Sequence, residues 1–281
     1  MESCALYPGS IGEIVQGRLE NMDVLLSCPV NLYTKLRIYE CHRAVKKFIY
    51  PKSALLLENL LYKWGHKEYI NNLDIEINSQ IPSGKGFASS TADLCAVYHS
   101  LLKLFDREYD ENELIQECIR IEPTDSIIFN EMTLFDYKHG IYREAVGDYM
   151  EFHILVFEGQ NIVDTLEFNK RNIPSQSHID DITALLKSGV KRKSIKDIAI
   201  ASTESIIRNQ HRLKYDILNE IINYRDKTSG LGILGAHSGD ILGIIYDSMD
   251  AAEMAVKNVP LIKNYKVYTL KTLKKAFYSL R

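Results

Sequence analysis

The clearest pattern in the chain is a change of hydrophobic period near residue 80. Asn72-Leu73-Asp74-Ile75-Glu76-Ile77-Asn78 alternates polar and apolar positions, which predicts a half-buried strand because successive strand side chains point to opposite faces. Beyond a short loop, Leu94, Val97, Tyr98, Leu101, Leu102 and Phe105 recur at helical spacing and predict a helix over 89–104. Asp110 can cap a second helix with Glu113 three positions later, close to a capping box, and Leu114, Ile115, Cys118 and Ile119 form its buried stripe. Pro123 disfavours helical backbone at Glu122 and should stop that helix.

In the second half, Phe152–Phe157 is a short apolar run and reads as a buried strand. Helical patterns follow over 179–187, with Gly189 as the expected stop, then over 194–208 and 214–225. Residues 233–236 and 241–246 read as strands joined by His237-Ser238-Gly239-Asp240. Asp250 should cap a helix running to Val256, and 265–269 is a last strand. Strands and helices mix without regular alternation, so the fold class is α+β rather than a doubly wound sheet. At roughly 150 residues per domain, 281 residues suggest two domains, here 1–150 and 151–281.

Composition narrows the function. Hydrophobic residues make up 46% and charged residues 25%, an ordinary globular balance that argues against disorder. The net charge of -3 and the lack of an interleaved basic-aromatic stripe disfavour nucleic acid and anionic membranes as partners. No run approaches the ~20 apolar residues a membrane helix needs, and Met1-Glu2-Ser3-Cys4 lacks a signal-peptide profile. Five scattered cysteines, an odd number without Cys-x-x-Cys spacing, suit a reducing cytoplasm. The eight histidines show no metal-ligand spacing.

The most informative string is Pro82-Ser83-Gly84-Lys85-Gly86-Phe87-Ala88-Ser89-Ser90-Thr91-Ala92-Asp93. A strand ends, two glycines free the backbone, and small hydroxyl residues open a helix whose first amides lack intrahelical partners. Such a helix start attracts phosphate. Gly86 after Lys85 excludes a Walker A loop, and the absence of a third glycine at Ser89 argues against a Rossmann fingerprint.

That string resembles the signature loop of the GHMP kinases, with Ala88 replacing the usual third glycine, a change expected only to tighten the turn. Pro8-Gly9-Ser10-Ile11-Gly12-Glu13-Ile14-Val15-Gln16-Gly17 stands where the family's first motif should. On its own residues it reads as a surface hairpin turn. Gly232–Gly243 resembles the third, C-terminal motif. Adjacent His237 and Ser238 do not suggest a hydrolase, since neighbouring turn side chains rarely meet and no orienting acid is evident. Together with Ser27-Cys28-Pro29-Val30 and Ile121-Glu122-Pro123-Thr124-Asp125-Ser126, these segments resemble the branch of the family that phosphorylates the side-chain hydroxyl of L-threonine in propanediol-utilisation and cobalamin pathways.

The resemblance implies an N-terminal α+β domain, a ferredoxin-like C-terminal domain, and ATP with Mg2+. Residues 84–91, namely Gly84, Lys85, Gly86, Phe87, Ala88, Ser89, Ser90 and Thr91, would cradle the nucleotide. Asp125 would orient or deprotonate the acceptor, with Lys85 neutralising phosphate charge as a second catalytic group. Ser90 and Glu122 would face the metal, although Glu122 is closer to Asp125 than in most of the family. Glu13, Gln16, Thr124, His237 and Ser238 would meet the substrate. The expected partners are ATP and a small hydroxyl amino acid, with a homodimer compatible. Rival readings are a kinase for serine or homoserine, and a non-catalytic sensor or scaffold of the same fold.

Overall fold

The computed structural model describes residues 1–162, 174–259 and 262–276. Strands β1 (Glu2–Ser10), β4 (Pro29–Glu40) and β5 (Leu73–Ser79) form an antiparallel sheet in the order β1-β4-β5. The middle strand shows the expected period: Thr34, Leu36 and Ile38 are buried while Lys35 is exposed. Helix α2 (Ser89–Leu104) packs on this sheet and touches α1 (Pro51–Lys63) and α3 (Glu111–Ile121). A second antiparallel sheet joins β2 (Val15–Leu19), β3 (Met22–Leu26), β6 (Met132–Phe135) and β7 (Arg143–Gly147).

The third sheet draws all its strands from beyond residue 152: β8 (His153–Glu158), β9 (Gly232–Gly235), β10 (Ile241–Tyr246) and β11 (Lys266–Lys271), in the order β11-β8-β10-β9. Helices α4 (Asp180–Lys191), α5 (Ile195–Arg208) and α6 (Leu218–Lys227) lie between β8 and β9, and α7 (Met249–Lys257) between β10 and β11. Every neighbouring pair is antiparallel, which is the β-α-β-β-α-β pattern of a ferredoxin-like unit. The sheet is buried on both faces. Ile154, Val156, Ile241 and Ile245 join the main core, whereas Leu155, Phe157, Leu242, Ile244 and Tyr246 join a second cluster under α6 and α7. Two-sided burial explains why β8 and β10 appear as unbroken apolar runs. Among the described residues no helix is long and apolar enough to cross a membrane.

Several boundaries differ from the sequence expectation. Helix α4 continues through Gly189 to Lys191. A Cβ there would lie 2.8 Å from that of Asp197, so this glycine serves close helix packing rather than termination. Asp110 caps α3 by accepting from the amides of Asn112 and Glu113, but Glu113 does not complete a capping box; it binds the Trp64 indole and the Tyr98 hydroxyl. Ser248, not Asp250, caps α7, accepting from the Ala251 amide at 3.3 Å. Helix α6 starts at Leu218 rather than near 214.

Candidate active site

Three glycine-bearing segments interlock at the end of α2. The N-terminal segment is not a surface turn: residues 7–17 are buried throughout. The Ser10 amide donates to the Phe87 carbonyl at 3.0 Å and Gly12 to Gly86 at 2.8 Å, while Asp240 donates to the Lys85 carbonyl at 3.0 Å. Gly12 has φ +52° and a Cβ there would fall 2.3 Å from the Gly235 carbonyl carbon. Gly86 has φ +96° and its Cβ would fall 2.3 Å from that of Ala236. Neither position accommodates a side chain. Ala88, at φ 53°, also adopts the left-handed conformation at the N-cap, so the alanine bends the loop where glycine would be unstrained rather than merely tightening it.

No side chain caps α2. Its first intrahelical bond runs from the Ala92 amide to the Ala88 carbonyl at 2.9 Å, so the amides of Ser89–Thr91 have no intrahelical acceptor and the positive end of the helix dipole faces the cleft. That cleft, about 770 Å³ with its open mouth, is lined by Glu13, Gln16, Gly84, Gly86, Phe87, Ala88, Ser89, Ser90, Thr91, Glu122, Thr124, Asp125, His237 and Ser238, together with Leu25, Pro123, Tyr137 and Arg212.

Lys85 is the exception among the expected site residues. Its ammonium turns out of the cleft and donates to the Gly159 carbonyl at 2.8 Å, which corrects the expectation of a catalytic or phosphate-neutralising lysine. Thr91 is also occupied, accepting the Asp125 amide at 3.2 Å. Thr124 is buried, and its hydroxyl donates back to the Glu122 carbonyl at 3.0 Å.

Ser90 donates its hydroxyl proton to Glu122 Oε1 in a short contact, and the Lys52 ammonium holds Oε2 at 2.6 Å. The adjoining hydroxyl and carboxylate are hard oxygen donors that fit Mg2+, which commonly takes one or two protein ligands and completes its shell with phosphate oxygens and water. Among the described residues no group of three or more His, Cys, Asp or Glu residues could hold a metal by itself.

Asp125 Oδ1 is buried and has no hydrogen-bond partner among the described residues. Burial, and after it the neighbouring Glu13 carboxylate, pushes the Asp125 carboxyl up to about 7. Such a group can take a proton near neutrality. Glu13 Oε2 accepts from the His237 amide at 2.9 Å and lies 3.0 Å from Nδ1, while Nε2 meets the Ser205 hydroxyl at 3.2 Å. The acid orienting His237 is therefore Glu13, 224 positions away in sequence, and the serine is Ser205 rather than Ser238. Ser205 is fully buried and its hydroxyl is tied to both the amide and the carbonyl of Gln16, so it fixes the imidazole and is no nucleophile.

Sequence reasoning missed Lys52, Tyr137 and Arg212. Lys52 lies in the first turn of α1, Tyr137 just after β6, and Arg212 in the α5–α6 connection. None carries a motif; only the tertiary fold brings Tyr137 and Arg212 into the cleft lining and sets Lys52 behind it against Glu122.

The fold agrees with comparisons to known proteins. Residues 49–129 match the family model for the GHMP kinases N terminal domain. The chain is 27% identical over 249 residues to an L-threonine kinase of Salmonella typhimurium, covering 86% of this chain and 82% of that protein. It is 28% identical over 251 residues to an L-threonine kinase of Citrobacter freundii, covering 86% of each. The crystal structure of homoserine kinase from Cytophaga hutchinsonii superposes with a TM-score of 0.72 at 10% identity, over 98% of this chain and 96% of that one, a likeness of fold. Residues 49–129 thus carry a GHMP kinase N-terminal domain, and the chain, with its interlocked glycine segments and uncapped helix start, is a small-molecule kinase similar to L-threonine kinases over most of its length.

Proposed function

We propose that the chain transfers the γ-phosphoryl group of ATP to the side-chain hydroxyl of L-threonine, giving O-phospho-L-threonine and ADP. The observation that carries this reading is the union, in one cleft, of an uncapped helix start and a buried carboxyl with a free oxygen, Asp125. Similarity to L-threonine kinases over most of the chain supports the choice of acceptor.

In this mechanism the amides at the start of α2 hold the phosphates, and Ser89 adds a hydroxyl. Ser90 and Glu122 would hold Mg2+, which supplies neutralising charge to the phosphate oxygens. Asp125 Oδ1 receives the hydroxyl proton as the threonine oxygen bonds to the γ-phosphorus and the bond to the bridging oxygen of ADP breaks. Glu13, fixed by His237, is the partner for the acceptor ammonium, and Gln16, Thr124 and Ser238 complete its surroundings. The product would feed the aminopropanol branch of cobalamin synthesis, in a soluble cytoplasmic enzyme.

An ADP-release assay with free L-threonine, L-serine and L-homoserine, followed by identification of the phosphorylated product, tests the proposal. The highest kcat/KM should belong to L-threonine. A clear preference for another alcohol would replace the acceptor, and no turnover with any would overturn the reading.

A further inference from the structure

The cleft is rich in carboxylates, with Glu13, Glu122 and Asp125, yet among the described residues Arg212 is the only lysine or arginine in its lining. The Arg212 guanidinium has no carboxylate partner there, and its Nε is buried without any hydrogen-bond acceptor. A buried unpaired donor on a fixed charge is costly and calls for an anion. The α5–α6 connection bends back at this point, with the Arg212 amide donating to the Asn209 carbonyl at 2.9 Å. Asn209 is itself buried and anchored to the Gln16 carbonyl at 3.0 Å.

Tyr137 supplies a second donor. Its hydroxyl oxygen accepts from Gln16 Nε2 at 3.2 Å and from Gln176 Nε2 at 2.7 Å. An oxygen that accepts twice keeps its own hydrogen free to donate. Burial, foremost, holds this phenol well above its usual range against the opposing pull of the Arg212 charge, so it remains a donor at neutral pH. Both side chains line the cleft that Glu13 and Asp125 also line.

We propose that Arg212 and the Tyr137 hydroxyl form the carboxylate subsite of the acceptor, with Glu13 holding its ammonium, so that the cleft selects a zwitterionic α-amino acid over a simple amino alcohol. This rests on the amino-acid acceptor argued above. A guanidinium fork matches a carboxylate in two parallel hydrogen bonds, which fixes the acceptor's orientation as well as its affinity.

The test compares L-threonine with L-threonine amide, which keeps the hydroxyl and ammonium but loses the negative charge. The wild type should favour L-threonine by about 10- to 100-fold in kcat/KM, the usual worth of a hydrogen bond to a charged group. Arg212→Gln should lose a similar factor on L-threonine, mainly in KM, lose nothing further on the amide, and leave the KM for ATP unchanged. Arg212→Lys should recover part of the loss. Tyr137→Phe should cost about 2- to 10-fold, again on L-threonine alone. Equal wild-type use of acid and amide would overturn the subsite without any variant. So would an Arg212→Gln defect that falls equally on both acceptors or on the KM for ATP. A wild type inert towards L-threonine would instead overturn the acceptor reading, and this subsite with it.

Discussion

At the scale of single residues, Asp125 carries the sharpest expectation. Its carboxyl is pushed up to about 7 by burial first and by Glu13 second, and a general base works only when ionised. The kcat/KM for ATP, which reports the free enzyme, should therefore fall on the acid side with a midpoint near 7. Glu13→Gln removes the like charge and should move that limb to lower pH, although burial keeps it above the ordinary carboxylate value. A limb that stays in place in Glu13→Gln would break the coupling between the two carboxylates. Asp125→Asn preserves shape but cannot accept the proton, and should reduce turnover by about 10²–10⁴-fold with nucleotide affinity retained. Near-normal turnover would remove Asp125 from the chemistry.

At the scale of elements, the α2 loop combines the proposed metal site with a tight turn. Ser90→Ala deletes one of two adjoining oxygens, so it should raise the Mg2+ concentration needed for half-maximal rate. An unchanged titration would exclude Ser90 as a ligand. Gly86→Ala would meet both a positive φ and a contact 2.3 Å from the Ala236 Cβ. Strain and overpacking together should destabilise the protein by about 2–5 kcal/mol, readable as a lowered denaturation midpoint; an unaltered midpoint would show that the loop is not clamped.

The sequence reveals these elements unevenly. The bounds of α2, Ser89–Leu104, are legible because glycine, hydroxyl and apolar signals change together. The long strand β4 is not, since its start breaks alternation: Pro29 and Val30 are both buried, and Val30 bridges to Thr272 of the other half. The site divides in the same way. Residues grouped in glycine motifs are visible in the chain, whereas Arg212, Tyr137 and the Glu13–His237 pair are defined by contacts across as many as 224 positions. The direction of the Lys85 ammonium was equally unreadable, because it depends on the carbonyl of Gly159.

At the scale of the molecule, the change of sheet near residue 150 does not separate two cores. The main hydrophobic cluster contains Ile14, Leu26, Val30 and Leu94 from one side and Ile154, Ile198, Leu234 and Ile241 from the other. Thr272 donates to the Met150 carbonyl at 2.7 Å and accepts the Phe152 amide at 2.8 Å, while Leu273 donates to the Pro29 carbonyl at 2.8 Å. The C-terminal strand region thus pins the junction to the N-terminal sheet. Removing residues 151–281 would expose the inner face of that cluster and strip the glycine segments of their partners at Gly235 and Asp240. The halves should therefore unfold together. Trp64, the chain's single tryptophan, lies in the N-terminal half and reports on it alone through its surroundings at Glu113 and Phe105. In a urea titration its fluorescence should follow the far-UV circular dichroism of the whole chain through one shared midpoint, and a fragment of residues 1–150 should lack a cooperative transition. Separate midpoints, or a fragment that melts cooperatively, would mean that each half holds enough of the core to fold alone, and that the cleft is assembled by docking rather than by folding.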